Sequence, residues 1–420
     1  MELTSKVDEL KSKLPNNESE IIASADTDDI DEIDNDSQSI LMGIISQLRL
    51  GSDLTKITLP TFILEKKSML ERITNFFQIP EILILANSMD NGRKRFLEVL
   101  KWYLASWHIA PKAMKKPLNP ILGEVFNCYW DDLPCESTAF YLAEQTSHHP
   151  PKSSYFYLNP ELKIRVDGTI IPNSKFLGNS SAAIMKGLGH VHLHNHAETY
   201  VMNQPNIYCR GILFGKLRYE LGDQMIVKCE KLNLEAIIEF KVKGLISGSY
   251  DAIKGKVIDS STGDILYNIF GKWNDTMFIK DTQGGAQEVF FDTKTAVIRP
   301  PKVRPFSEQL EYESRRLWKP TIDALGRRDH DLATIEKAKV ENQQRLDAQK
   351  RLEDGVDLHP RLFKEVKGSD CSVHGLEFVM YKHLDLRDDP AKLKSQLFEV
   401  IPFLPGQKFN DQFHIPAFNK

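Results

Sequence analysis

Val125-Phe126-Asn127-Cys128-Tyr129-Trp130 stands at the head of a strand-like region that runs from Glu124 to Asp292. Ala139–Ala143 and Tyr155–Leu158 repeat its aromatic, β-rich character. Such residues suit a pleated, buried surface, and short runs of them read as strands. Turn signals separate the runs. Gly222-Asp223 lies between Leu217–Leu221 and Met225–Cys229, Thr262-Gly263-Asp264 precedes Ile265–Phe270, and Gly284-Gly285 precedes Val289–Phe291. Each predicts a hairpin, because Gly and Asp tolerate the backbone angles of tight turns. About ten strands without intervening helices predict an antiparallel meander. A sheet that long curls and closes into a barrel, and a large barrel encloses a cavity.

Helical spacing flanks this region on both sides. Ser68–Phe77 and Gly92–Ser106 read as helices, the second with Phe96, Val99, Leu100, Tyr103 and Leu104 on one side. Glu308–Leu317 and Asp329–Asp354 read as two more, the last charge-laced and stopped by Gly355. Near the start, Ile40, Leu41, Ile44, Ile45 and Leu48 recur at helical spacing behind Ser37 or Ser39 as a cap. That amphipathic helix suits a core, a partner or a lid over an apolar opening. Residues 360–420 show no clear period.

Composition bounds the function. The 420 residues are 41% hydrophobic and 27% charged, which excludes collagen-like, mucin-like and wholly disordered chains. No stretch approaches the roughly 20 apolar residues of a membrane span. The first residues carry no apolar core of a secretory signal, so none is expected. Five scattered cysteines without C-x-x-C fit reduced thiols in the cytosol. The net charge of −4 gives no reason to expect nucleic acid, but it is unevenly spread. Between Lys13 and Arg49 lie nine acids and no base, so the rest of the chain sums to +5. Residues 1–36 therefore read as an acidic, largely disordered segment.

Four groups of residues stand out. Glu144-Gln145-Thr146-Ser147-His148-His149-Pro150-Pro151 puts two histidines at a strand end beside a rigid Pro pair. It is either a packing feature or an anion clamp, since a nearby phosphate favours protonated imidazole. Lys112, Lys115 and Lys116 precede Pro117-Leu118-Asn119-Pro120, which makes either a solvated basic loop or a stiff loop that presents Lys116 and Asn119 to a headgroup. Lys337, Glu341 and Arg345 share a helix face, and a surface salt-bridge stripe is the plain reading. His190, His192, His194 and His196 alternate, but one flat face does not converge tetrahedrally on zinc, so no metal is expected. No nucleotide, metalloprotease or nucleophile-elbow motif is present in the sequence, and no enzyme activity is expected.

The eight residues Glu144–Pro151 resemble the signature of the oxysterol-binding protein family. The resemblance runs from about Ser39 to about Phe363. It includes Leu59-Pro60-Thr61-Phe62-Ile63-Leu64-Glu65, Lys115–Glu124 and Ser174-Lys175-Phe176-Leu177-Gly178-Asn179-Ser180. The chain looks most like the short yeast members that exchange phosphatidylserine for phosphatidylinositol 4-phosphate.

The resemblance implies a mainly β fold with α additions: a large incomplete antiparallel barrel around an apolar lipid tunnel. An N-terminal helical lid would carry Ile40, Leu41, Ile44, Ile45 and Leu48. Residues 37–420 would form one lipid-binding domain, with 37–58 as lid region, 59–123 as a helical N-terminal part, 124–293 as barrel and 294–420 as a C-terminal helical region. Lys116, Asn119, His148, His149, Lys337, Glu341 and Arg345 match the phosphoinositide headgroup positions. Leu59, Thr61, Asn119 and Ser174 match the phosphatidylserine positions. The lipids are the expected ligands, with no cofactor. Transient membrane contact, a monomeric state and a cytoplasmic location at contacts between endoplasmic reticulum and plasma membrane are expected, with a protein tether as a further partner. The alternatives are a sterol carrier or sensor of the same fold, and an adaptor at membrane contacts.

Overall fold

A computed structural model describes residues 60–109, 115–212, 218–243, 248–366 and 375–409, together with the backbone of 418–419. The acidic segment 1–36, the expected lid helix, Leu59, Lys112 and Cys371 lie outside the described residues.

The chain enters through a short strand, β1 (Leu64–Ser68), and three helices: α1 (Met69–Arg72), α2 (Pro80–Ser88) and α3 (Gly92–Ser106). The Ser68 side chain accepts the Leu70 N–H and starts α1, which a 3-10 turn, Ile73–Phe77, continues. Asn91 caps α3 by accepting the Lys94 N–H, and the predicted bounds of that helix hold. A second short strand, β2 (Lys116–Leu118), then lies parallel to β1.

One 14-stranded sheet follows. Its strands are β3 (Val125–Leu133), β4 (Ser137–Ser147), β5 (Lys152–Asn159), β6 (Ile164–Phe176), β7 (Ser180–Lys186), β8 (Gly189–Leu193) and β9 (Glu198–Met202). They continue as β10 (Asn206–Arg210), β11 (Arg218–Cys229), β12 (Leu234–Lys241), β13 (Ala252–Asp259), β14 (Ile265–Lys272), β15 (Thr276–Asp281) and β16 (Gln287–Asp292). The path ends at β3 and β16, which do not pair with each other among the described residues, so the barrel is incomplete. The edge of β3 is covered instead by the chain leaving β16, through bridges Tyr129–Lys302 and Val125–Glu313. Covering an edge removes unpaired backbone groups that would recruit another strand.

The hairpins predicted at Thr262–Asp264 and Gly284-Gly285 form, with Gly263 and Gly284 at positive φ. The hairpin predicted at Gly222-Asp223 does not form, because β11 runs straight through it. Asp223 takes φ +69° there, and its carboxylate accepts Asn206 Nδ2 and Tyr208 Oη. The strand changes partners at this point: Gly222 faces Asn206 on β10, and Asp223 faces Phe240 on β12. Turn-type backbone serves here as a kink where the sheet forks, since β6 and β11 are linked both through β7–β10 and through β8–β9.

The apolar run at Val125 is explained by burial on both faces. Phe126, Cys128 and Trp130 join the inner core with the residues of α2 and α3. Val125 and Tyr129 join an outer core with Phe140, Leu142, Phe156 and Leu158. Leu362, Phe363, Leu393, Leu397, Ile401 and Phe403 cover that outer face, which gives the aperiodic C-terminal part its structural role.

The C-terminal helices are α4 (Ser314–Leu317), α5 (Lys319–Gly326), α6 (His330–Asp354) and α7 (Pro390–Phe398). The helix predicted at Glu308–Leu317 shrinks to α4. Glu313 Oε1 accepts the Leu310 N–H at 3.0 Å and its carboxylate pairs with Arg304, so the preceding residues follow the edge of β3. Asp329 caps α6 and Gly355, at φ +64°, ends it. Leu64, Leu118, Trp318, Leu325 and Ala333 pack together, which seats α6 against β1 and β2. No helix among the described residues is long and apolar enough to cross a membrane.

Candidate functional site

Three segments carry the predicted headgroup residues and bring Lys116, His148, His149, Lys337 and Glu341 together. The first is β2 and its following loop. Leu118 is fully buried and anchors it, while Lys116 and Asn119 stay exposed. The loop ends at Glu124, which is buried and receives the hydroxyls of Ser68 (2.5 Å) and Ser314 (2.6 Å), Trp318 Nε1 (2.8 Å) and the Ile121 N–H (3.1 Å). Burial still holds its pKa above the ordinary carboxylate value. This carboxylate ties the loop to α1 and α4, a role the sequence reading missed. A Glu directly before an apolar strand was the available signal.

The second segment is the turn between β4 and β5. Its first residues build the turn. Glu144 accepts the N–H groups of Arg361 and Leu362, and Gln145 accepts the Ser153 hydroxyl at 2.6 Å. Thr146 bonds Ser154 at 2.9 Å, and Ser147 donates to the Pro150 carbonyl at 2.7 Å. On this frame the rings of His148 and His149 lie 4.2 Å apart, with a cis peptide between His149 and Pro150. His148 is half-buried and His149 exposed.

The third is α6. Lys337 Nζ donates to Glu341 Oε1 at 2.5 Å, one helical turn away. Gln344, buried on the same helix, accepts the Leu122 N–H at 2.8 Å and places its Nε2 2.9 Å from His148 Nε2. It therefore touches both other segments. The four-residue spacing 337, 341, 345 gives no signal for position 344.

The electrostatics connect the segments. Lys116 keeps solvent access but is enclosed by protein, and that enclosure, then the Lys337 charge, lower its pKa while Glu341 opposes them. Burial and then His149 lower the pKa of His148, again opposed by Glu341. Two ammonium groups, a carboxylate and a neutral imidazole thus act on one another. An arriving phosphate would relieve the repulsion between the lysines and raise both depressed pKa values.

The other predicted residues sit as follows. Arg345 is exposed and bonds Asn342 on its own helix. Thr61 is buried, and its hydroxyl donates to the His330 carbonyl at 3.2 Å, where α6 begins. Ser174 is half-buried on β6 opposite Ala183. Lys115 is held by the Phe62 carbonyl at 2.8 Å. The alternating histidines diverge: His190 and His192 lie on β8, whereas His194–His196 form a 3-10 turn. Burial pushes the His192 pKa down to about 4, and His196 Nε2 lies 2.8 Å from the Asn87 carbonyl. Among the described residues no group of three His, Cys, Asp or Glu side chains is placed to hold a metal.

The sequence profile described as Oxysterol-binding protein matches residues 43–323. The Oxysterol-binding protein-like protein OBPalpha of Candida albicans is 60% identical over 425 residues, covering 100% of this chain and 99% of that protein. Oxysterol-binding protein homolog 6 of Saccharomyces cerevisiae is 55% identical over 404 residues, covering 94% and 88%. Two solved structures share the fold. The Osh1 ORD domain in complex with cholesterol has a TM-score of 0.71 at 21% identity, covering 94% of this chain and 97% of that one. The Osh3 ORD of Saccharomyces cerevisiae in complex with PI(4)P has a TM-score of 0.63 at 20% identity, covering 87% and 94%. The chain belongs to the oxysterol-binding protein family, whose members bind and transfer lipids rather than catalyse a reaction.

Proposed function

We propose that this chain extracts phosphatidylserine from one membrane and exchanges it for phosphatidylinositol 4-phosphate from another, one lipid at a time. The observation that carries the reading is the meeting of Lys116, His148, Lys337 and Glu341, drawn from three separate segments. Cations and an imidazole so placed match a phosphate monoester with adjoining hydroxyls. Asn119 and Arg345 are further proposed contacts on the family resemblance, and Glu341 accepts inositol hydroxyls or orients the cations. Leu59, Thr61, Asn119 and Ser174 are the proposed phosphatidylserine contacts, on the family resemblance.

The physical task is to carry acyl chains through water. Each buried CH₂ is worth about 0.8 kcal/mol, so roughly 30 methylenes oppose the crossing by on the order of 20 kcal/mol. An apolar tunnel in place of the bilayer makes the crossing nearly level. A single shared tunnel makes loading mutually exclusive, so a phosphoinositide gradient drives phosphatidylserine against its own. Transient docking is supported by the β6–β7 hairpin tip. Leu177 is 47% exposed there, and Lys175, Arg210 and Arg218 stand exposed at the same end of the sheet. Action in the cytoplasm as a monomer, at contacts between endoplasmic reticulum and plasma membrane and with a protein tether, belongs to the same proposal.

A sterol carrier is the second reading, favoured by the sterol complexes of the structurally similar Osh1 domain. Mass spectrometry of lipids co-purified from cells separates the two: phosphatidylserine is expected, and sterol alone would overturn the exchange. Absence of any transfer between liposomes would favour an adaptor.

A further inference from the structure

We infer that Gln344 is a positioning residue that locks His148 as a neutral imidazole with its proton on Nδ1, ready to donate to a phosphate oxygen. The ligand part rests on the phosphoinositide reading; the tautomer rests on geometry alone.

The Leu122 backbone N lies 2.8 Å from Gln344 Oε1. A backbone N–H only donates, so the amide oxygen of Gln344 must face it, and the orientation of the amide is settled. The other end of that amide is an NH₂ group, and it lies 2.9 Å from His148 Nε2. An amide NH₂ donates and does not accept, so Nε2 must carry its lone pair. A neutral imidazole has one proton, which is then on Nδ1. An imidazolium would set two N–H groups against each other at this contact.

The surroundings agree. Burial and His149 disfavour the charged ring, while Glu341 favours it. Nδ1 is buried and has no hydrogen-bond partner among the described residues. A buried donor left unmade is unfavourable, and an incoming acceptor relieves it. His148 therefore need not take a proton from solvent before it binds phosphate. The same amide fastens α6 to the loop after Asn119 and to the histidine turn, so one side chain sets the spacing of the whole site.

The test uses the full chain labelled with ¹⁵N-histidine, without lipid. Long-range ¹H–¹⁵N spectra should show the neutral Nδ1–H tautomer for His148, assigned by the signal lost in His148→Ala. Gln344→Glu, close to isosteric, can only accept at both contacts, so the His148 ring should move to the Nε2–H tautomer, which leaves Nδ1 without a proton to donate. Uptake of phosphatidylinositol 4-phosphate from phosphatidylcholine vesicles holding a few per cent of it should fall about tenfold, the loss of one or two hydrogen bonds. Uptake of phosphatidylserine should be retained, which shows that the variant folds. An Nε2–H tautomer in the unmodified chain would overturn the inference, as would a shifted tautomer with unchanged uptake. If His148→Ala also leaves that uptake unchanged, the phosphoinositide reading falls, and the spectrum still decides the role of Gln344.

Discussion

Glu144 Oε2 accepts the backbone N–H of Leu362 at 2.8 Å, joining residues 218 apart in sequence. The first residue of the histidine signature thus holds the segment that covers the outer face of β3–β5. Burial pushes its carboxyl up to about 7 from an ordinary 4.5, against the pull of the Arg361, Leu362 and Phe363 N–H groups and the Arg361 charge. A folded-state pKa above the unfolded value means that this group's contribution to stability is fully present below about pH 4.5 and is lost as pH rises through 7. The interval corresponds to on the order of 3 kcal/mol. Glu144→Gln cannot ionise, so its urea midpoint should decline less than that of the unmodified chain between pH 4.5 and 8. Parallel profiles would show that Glu144 does not titrate in this range.

Replacing His148 and His149 together with Ala should abolish phosphoinositide extraction and largely spare phosphatidylserine. The frame of the turn is built by Glu144, Gln145, Thr146 and Ser147, and among the described residues the imidazoles add to it a hydrogen bond to Gln344. Extraction from vesicles carrying one labelled lipid at a time checks this. Equal loss of both lipids would instead indicate a folding defect or a wrong assignment.

Lys337→Ala removes a charge that lowers the Lys116 pKa and releases Glu341, which raises it. Both changes act in one direction, so the Lys116 pKa should rise. Titration of its Cε signal by NMR measures the shift. Phosphoinositide uptake should drop about tenfold with the lost charge-assisted contact. An unmoved Lys116 would show that the two lysines are not electrostatically coupled.

Much of the fold was legible because local chemistry and tertiary use agree. The strand residues of Val125–Trp130, the turns at Gly263 and Gly284, the bounds of α3 and the Gly355 stop of α6 read directly from type and spacing. Gly222-Asp223 misled because the same backbone angles serve a hairpin or a kink, and only the distant strands Asn206–Arg210 and Leu234–Lys241 decide between them. The headgroup residues came from the family signature, since a Lys–Glu–Arg stripe or a His pair is ordinary by itself. Gln344 and Glu124 escaped because their partners lie on distant segments of the chain, which no spacing rule reveals. A Cβ on Gly222 would lie 2.6 Å from Val242 Cγ2 and 2.7 Å from Tyr208 Cε2. Gly222→Ala should therefore cost about 1–3 kcal/mol, read as a lowered unfolding midpoint. An unchanged midpoint would mean that these side chains yield freely at the fork.

The uneven charge of the chain makes a last prediction. Nine acids lie between Lys13 and Arg49, while the remainder of the chain sums to +5. Carried together, the two parts act on an anionic bilayer with opposite sign. Exposed charges are screened beyond roughly 8 Å at physiological salt, so the acidic residues weaken membrane binding only when they lie close to the docking surface. Neutralising Asp26, Asp28, Asp29, Asp31, Glu32, Asp34 and Asp36 as amides should raise binding to vesicles rich in anionic lipid. The gain should be largest at low salt and shrink as salt is added. A loaded protein that keeps its acids would then leave the membrane sooner, which favours turnover over residence. Cosedimentation across a salt series measures the effect. Equal binding of both forms at low salt would show that the acidic segment acts only as a solvating tail.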